Sequence, residues 1–476
     1  MKTISPAIGV IIGNRDFFPG HLVAEARADI ERFARQAAFD PVMLAPGDTK
    51  LGGVETFADA QKCAALFRAH RERIAGVLVV LPNFGAEKGV ADTLKLAALR
   101  VPVLVQAYPD TPGRLDARHR RDAWCGKISV CNNLRQAGIP FSLTAAHVTH
   151  PGDPAFARDI ARFLAVCRVA GGLRKARIGA IGARPAAFNT VRYSEKILER
   201  HGVTVITADL SEILAAAAKL DARHPRVLAK LDETAAYADT TAAPPARLLQ
   251  MARLGVVLDD FTAEHQLDAT ALQCWNSLQQ NHGCNSCTAM SMMSERLLPS
   301  ACEVDVTGAL TMLALQLASG APAALADWNN NHAADPDKCV LFHCGNWPRS
   351  LAPAPRVAPA PILGSTLGLE NTWGALDARA PAGPLTYARI TTDDTRGTLR
   401  AYVGEAELTG DDLPTFGNRA VARVPRLQAL MRHICREGFE HHVAINASRT
   451  APILEEALAR YLGWEVYHHE KATSSE

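Results

Sequence analysis

The sequence predicts an α/β protein: two doubly wound parallel-sheet domains followed by a smaller, mostly β C-terminal domain. Three observations carry this. From Ala7 to Gln106, short β-branched runs (Ile8–Ile12, Val77–Leu81, Val101–Val105) alternate with helix-period segments (Leu22–Ala37, Ala58–Ala69), the rhythm of a parallel sheet wrapped by helices. The rhythm restarts near Ala176, with a strand at Arg177–Ile181, a helix over Thr190–His201, a second strand at Val203–Thr207 and further helix from Ser211. Finally, the stretch LAPAPRVAPAP (Leu351–Pro361) carries four prolines, which cannot continue a helix or central strand and stiffen a connector. Beyond it, Thr386–Thr392 and Thr398–Val403 read as strands around an Asp394–Gly397 turn, and Ala451–Leu462 as a last helix. The expected domains are 1–170, 171–350 carrying the acidic candidates, and 351–476 carrying a His-His pair. The tail KATSSE is expected to fray.

With 476 residues, 48% hydrophobic and 21% charged, the chain has the composition of a globular protein with a large core. Lys+Arg 51 against Asp+Glu 49 gives a net charge of +2, so no whole-chain field gathers nucleic acid or an anionic membrane. The longest apolar region, Ala309–Ala326, is broken by Thr311, Gln316, Ser319, Gly320 and Pro322, short of a membrane span. The apolar run near the N-terminus stops at Gly13-Asn14-Arg15-Asp16 and reads as a first strand rather than a signal peptide. The expectation is a cytoplasmic protein whose eleven scattered cysteines are mostly reduced.

Two common chemistries lack support. Gly179-Ala180-Ile181-Gly182 closes a strand without the three-glycine spacing that admits a pyrophosphate, and no GxxxxGK[ST] occurs. Cys284-Asn285-Ser286-Cys287, with His282 and Cys274 nearby, offers thiolates and an imidazole to zinc, but structural zinc sites pair two such knuckles. Ordinary thiols are the simpler reading.

The stretch Ser300–Pro348 is the most informative. It sets Glu303, Asp305 and Asp327, with His332 and His343, among apolar neighbours. Ser300–Glu303 also fits a capping box, in which Glu303 only folds back onto the next helix. Against that, Asp327 closes a strand-like run, Ala323–Ala326, where parallel sheets present ligand groups, and His343 closes another, Cys339–Phe342. Late in the chain, His441 and His442 precede a strand-like segment, so in extended conformation they point to opposite faces and only one faces a metal. Two carboxylates with one or two imidazoles suit Mn²⁺ or a similar divalent ion. His468-His469 reads as a solvated end.

These motifs resemble the L-fucose and L-arabinose isomerases, and more closely the shorter fucose-isomerase-like branch. The resemblance spans nearly the whole chain. It rests on FNTVRYSEKILERHGVTVITADLSEI (Phe188–Ile213), LQCWNSL (Leu272–Leu278), CEVDVTGALTMLALQLASG (Cys302–Gly320), ALADWNN (Ala324–Asn330) and EHHVAI (Glu440–Ile445). The most specific feature is the Cys302–Gly320 segment followed by an aspartate 24 positions after its glutamate (327 − 303).

The resemblance implies two stacked α/β domains plus a C-terminal β domain, and an aldose–ketose isomerase acting on a free sugar. It implies Mn²⁺, or another divalent cation such as Mg²⁺ or Co²⁺, held by Glu303, Asp327 and His442, with His343 as an additional ligand. Arg15 and Gln273 fall where the family contacts sugar, as does His441, which replaces the family's Asn. The implied assembly is a homo-oligomer, trimer or hexamer, whose site lies near a subunit interface, with Arg15 acting in trans. In such chemistry a divalent ion stabilises a cis-enediolate, while Glu303 and Asp327 jointly move the C2 and hydroxyl protons. Two other readings stay open: a non-catalytic sugar-binding protein with the same two-lobed build, and a lyase or epimerase using the same intermediate.

Overall fold

The computed structural model describes residues 6–37 and 39–471; of the expected frayed tail, residues 472–476 lie outside them. The chain divides into two compact units, Met1–Gly171 and Gly172–Glu476.

The first unit is one parallel sheet. Its strands are β1 (Ala7–Ile12), β2 (Asp40–Val42), β3 (Ile74–Leu81), β4 (Val103–Ala107) and β5 (Ser142–Leu143), in the order β2-β1-β3-β4-β5. β1 is buried along its whole length, as a strand with helices on both faces must be. Alternate residues serve two cores. Ile11, Val77 and Val79 pack with Phe67 on one side, while Ile8, Val10 and Val80 pack with Phe33 on the other. The strand order reverses between β1 and β3, which opens a crevice at their carboxyl ends.

The second unit contains two sheets. β6 (Arg177–Ile181), β7 (Thr204–Ala208), β8 (Ala269–Leu272) and β9 (Ser300–Ala301) are parallel in the order β7-β6-β8-β9. The larger sheet comprises β10 (Ala324–Asn331), β11 (Lys338–His343), β12 (Arg356–Pro359), β13 (Trp373–Arg379), β14 (Gly383–Asp393), β15 (Thr398–Leu408), β16 (Asn418–Arg423), β17 (His442–Asn446) and β18 (Glu465–His468). Its order is β12-β13-β16-β11-β10-β17-β14-β15-β18, and β15 also pairs with β16. That extra pairing closes six antiparallel strands, β16-β11-β10-β17-β14-β15, into a barrel with few free edges. The fold class is therefore as expected: two parallel-sheet α/β parts and a mostly β C-terminal sheet.

Two expectations about its extent change. β10 and β11 hydrogen-bond into the barrel, so the β part begins at Ala324 rather than after residue 350. The proline-rich stretch is no connector, because Arg356–Pro359 forms β12 at the sheet's edge, paired in that sheet only with β13. An edge strand tolerates proline, since half of its backbone groups need no partner. The tail histidines are likewise not solvated: His468 is buried between Glu455 and Glu470, and His469 bonds the Pro425 carbonyl.

Helix Val306–Ser319 lies between the two sheets of this unit and is buried on nearly every side. This explains its all-round apolar sequence, which a helix with one solvated face would not show. No helix among the described residues is long and apolar enough to cross a membrane.

The barrel interior is filled by alternate residues such as Ala326, Leu341, Tyr387, Tyr402, Ala422 and Ile445. Gly404 lies directly opposite Tyr387, and a Cβ there would meet the tyrosine oxygen at 2.2 Å. Gly404→Ala should therefore destabilise the protein by about 1–3 kcal/mol. Thermal unfolding checks this, and an unchanged Tm would show that the ring has room to move.

Candidate active site

In the second unit, the carboxyl ends of β8 and β9 meet the barrel strands β10, β11 and β17. Glu303 follows β9 in a left-handed conformation (φ 54°), and so does Val304 (φ 56°). Each such residue costs roughly 1–2 kcal/mol, and together they turn the chain before the helix begins at Val306. The capping box is excluded, because Asp305 is the cap and accepts the Gly308 N–H at 2.8 Å. Glu303 is left to point elsewhere.

Its two oxygens have different surroundings. Oε1 accepts hydrogen bonds from the Trp275 indole N–H (3.1 Å) and the Cys274 thiol (3.3 Å). Oε2 is buried without a hydrogen bond, 3.6 Å from His442 Nε2 and 3.9 Å from His343 Nε2. Asp327 is not at the carboxyl edge of a parallel sheet but within β10, directly opposite His442 of antiparallel β17. Side chains so paired share a face. Its Oδ1 is also buried without a hydrogen bond, 3.5 Å from Nε2 of both His441 and His442. The two histidines therefore converge rather than point apart, because β17 starts at His442 and His441 lies in the bend before it.

Hydrogen bonds give the histidines opposite tautomers. His442 Nδ1 donates to Asp305 Oδ2 at 2.8 Å, which leaves the Nε2 lone pair facing Glu303 and Asp327. His343 Nδ1 accepts the Cys344 N–H at 2.9 Å, so its Nε2 carries the hydrogen toward Glu303. Asp305 is anchored by Arg389 through two bonds (2.6 and 3.0 Å), and Arg389 also reaches Glu440 at 3.0 Å. Burial alone would raise the Asp305 carboxyl, but Arg389 and His442 more than offset it and hold it well below the usual carboxylate range. For His442, burial works to lower the pKa, and the Asp305 hydrogen bond with the surrounding carboxylates turns the net shift upward. His441 is lowered, first by burial and then by His442.

The two donor sets Glu303–His343–His442 and Asp327–His441–His442 each bring their ligand atoms within 4.8 Å of one another. Among the described residues no one set contains both Glu303 and Asp327; His442 is common to the two, and the orphaned carboxylate oxygens near its Nε2 are of the kind that suits a hard divalent cation. Phe188 walls this space, with its ring against Trp275 (5.1 Å), His441 (5.8 Å) and His442 (6.2 Å).

The remaining sequence candidates lie outside this cluster. Gln273, at the end of β8, has its side-chain oxygen bonded to the Ala183 N–H at 2.8 Å. Arg15 belongs to the first unit, at the β1 end of the switch crevice, where it pairs with Glu87 and stacks 4.1 Å above the Phe84 ring. Of the cysteine motif, Cys284 and Cys287 are buried free thiols and His282 bonds the Gln250 carbonyl. Sequence reasoning named Asp305 but gave it no role, considered Cys274 only as a zinc thiolate beside Cys284 and Cys287, and assigned no role to Arg389, Glu440 or Trp275. The usable signal for Asp305 was its place one residue before an apolar helix.

Comparison with known proteins identifies the family. A family model described as the N-terminal domain of fucose/sulfoquinovose isomerase matches residues 9–174, and that of the L-fucose isomerase C-terminal domain matches residues 341–469. A sulfoquinovose isomerase from Alkalicoccus urumqiensis is 27% identical over 365 residues, covering 75% of this chain and 78% of that protein. One from Priestia aryabhattai is 24% identical over 358 residues, covering 74% and 76%. A solved ABC transporter solute-binding protein from Burkholderia multivorans, at 8% identity, covers 66% of this chain and 93% of that one with a TM-score of only 0.17, too low to bear on the fold. The chain belongs to the fucose isomerase-like family and is a sugar aldose–ketose isomerase.

Proposed function

We propose that this enzyme interconverts an aldose and its 2-ketose by proton transfer between C1 and C2, with a divalent cation, Mn²⁺ or else Mg²⁺ or Co²⁺, held by Glu303, Asp327 and His442. The observation that carries this is the pair of buried, unbonded oxygens, Glu303 Oε2 and Asp327 Oδ1, turned toward one imidazole nitrogen. A buried carboxylate oxygen without a partner is expensive, and a cation removes that penalty. When bound, such an ion supplies positive charge where the cis-enediolate develops its own negative charge.

The chain's own groups do the rest. Glu303 and Asp327 share the proton work, one lifting hydrogen from C2 and returning it to C1, the other exchanging the hydroxyl proton. His343, with its Nε2–H toward Glu303, is better suited to donate a hydrogen bond than to be a ligand. His441 is 43% exposed at the rim and suits a sugar hydroxyl, and Gln273 remains a candidate contact. Phe188 and Trp275 give the cleft an apolar wall that limits water at the reacting carbons.

For the substrate we take the relatives' sulfoquinovose, a sulfonated hexose, as the first candidate. Two arginines of the Phe188 loop are suited to its anionic arm. Arg184 and Arg192 donate to the Pro185 and Asn189 carbonyls and, among the described residues, pair with no carboxylate. Arg15 is the further candidate, acting in trans from another copy in a homo-oligomer (trimer or hexamer); it would have to exchange its Glu87 partner for the sugar. We place the enzyme in the cytoplasm, with no nucleic-acid or membrane partner.

The test is a panel of neutral and sulfonated aldoses incubated with Mn²⁺-loaded enzyme in D₂O. Conversion of a sulfonated aldose, with solvent deuterium at C1 of the ketose, is the expected outcome. Product without deuterium over repeated turnover would overturn proton transfer in favour of a hydride shift. Glu303→Gln and Asp327→Asn should each abolish turnover and lower bound Mn²⁺ while circular dichroism stays unchanged, and retained activity in both rejects the site. Asp305→Asn keeps the side-chain shape but weakens the hold on His442, so metal affinity by calorimetry should fall about 10–100-fold.

A further inference from the structure

On its Oε1 side, Glu303 faces sulfur. Cys274 follows β8 and Cys302 follows β9, and these neighbouring parallel strands bring both thiols beside the carboxylate. The Cys302 and Cys274 sulfurs lie within 4.8 Å of one another, and the Cys274 thiol donates to Glu303 Oε1 at 3.3 Å. The three ligand atoms lie within 4.8 Å of one another, and the residues are only 5%, 1% and 4% exposed. Beside them, Asn346 Nδ2 donates to Cys302 Sγ at 3.2 Å, while its carboxamide oxygen is buried with no partner. A half-turn of that amide would bring the oxygen to the same sulfur.

Zinc–sulfur bonds are about 2.3 Å, so ligands on one tetrahedral ion sit roughly 3.8 Å apart. The cluster needs to contract by no more than about 1 Å to meet that spacing. Its donors differ in kind from the oxygen and imidazole set around His442, because thiolates favour soft cations. We propose that Cys274, Cys302 and Glu303, with Asn346 available as a fourth ligand, form a second metal site for thiophilic divalent ions such as Zn²⁺ or Cd²⁺, and that its occupation inhibits the isomerase.

Binding exchanges two S–H protons, released to solvent, for two metal–thiolate bonds, with no change of oxidation state. The ion takes Oε1 as a third ligand, which ends the hydrogen bonds from Cys274 and Trp275 and draws the carboxylate away from His442. The inhibition rests on the reading of Glu303 as part of the catalytic centre; the site itself does not.

The test adds one equivalent of Cd²⁺ to metal-free, full-length enzyme. Expected are an anomalous diffraction peak between Cys274 Sγ and Cys302 Sγ, the ultraviolet sulfur-to-cadmium charge-transfer band, and release of two protons. Isomerisation after Mn²⁺ addition should fall about tenfold or more, and recover on chelation and reloading. Cys302→Ser and Cys274→Ser should each lose most of the band and of the sensitivity, judged against each variant's own uninhibited rate. A peak confined to Glu303–Asp327–His442, a peak at exposed Cys125 or Cys435, or an undiminished band in both variants overturns the site. The wild-type peak decides the matter even where a variant folds poorly. Cadmium at the thiols with unchanged turnover overturns the inhibition alone. An enzyme that binds cadmium there yet needs no divalent ion for catalysis overturns the metal-dependent mechanism and leaves the thiol site standing.

Discussion

Asp305 is the residue on which the rest of the site depends. One fully buried carboxylate caps helix Val306–Ser319, forms an ion pair with Arg389 of β14 and orients His442 of β17. It thereby ties the helix to two barrel strands and sets the tautomer of the imidazole between Glu303 and Asp327. Gly308 belongs to this arrangement, since a Cβ there would meet Asp305 Oδ2 at 2.4 Å. A buried ion pair is not a gain in itself, because desolvation can exceed the Coulomb attraction. Its value here is positional, with both Asp305 oxygens engaged and no freedom to rotate.

The electrostatics of the neighbourhood point the same way. Glu303, Asp305 and Asp327 are three carboxylates around His442, and among the described residues the only guanidinium bonded to them is Arg389, which is shared with Glu440. Such an excess of negative charge in a low-dielectric setting is tolerable in two ways: by protonating a group or by admitting a cation. His442 leans toward the first response, because the Asp305 hydrogen bond and the carboxylates raise its pKa against the effect of burial. A divalent ion is the second response, and it would compete with a proton for Nε2.

Most of the architecture was legible because it rests on local periodicity. Continuous apolar strands such as β1 and β3 announce a parallel sheet covered on both faces, and the restart at Arg177 marks the second. What pattern could not carry was pairing at a distance. Nothing local to Ala324–Asn331 says that it closes a barrel, and three asparagines at its end obscure a strand that runs on to Asn331. Proline density was misread for the same reason, since a sheet edge and a linker leave similar traces. The acids and His442 stood out through resemblance and through their apolar surroundings. Arg389, by contrast, lies in a β-rich stretch where an arginine ordinarily faces solvent, and only the fold shows it wholly buried.

The unequal legibility of the histidines has a physical cause. His343 and His442 both begin or end a barrel strand and look alike in sequence, yet they differ in what holds Nδ1: a backbone N–H for the first, a carboxylate for the second. A donor at Nδ1 leaves the hydrogen on Nε2, whereas an acceptor there frees the Nε2 lone pair, so the partner at one nitrogen decides what the other can do. That partner is 137 residues away in the chain for His442 and adjacent for His343. Residue type and spacing therefore bring an imidazole to the site, but only the completed tertiary contact makes it a ligand or a donor.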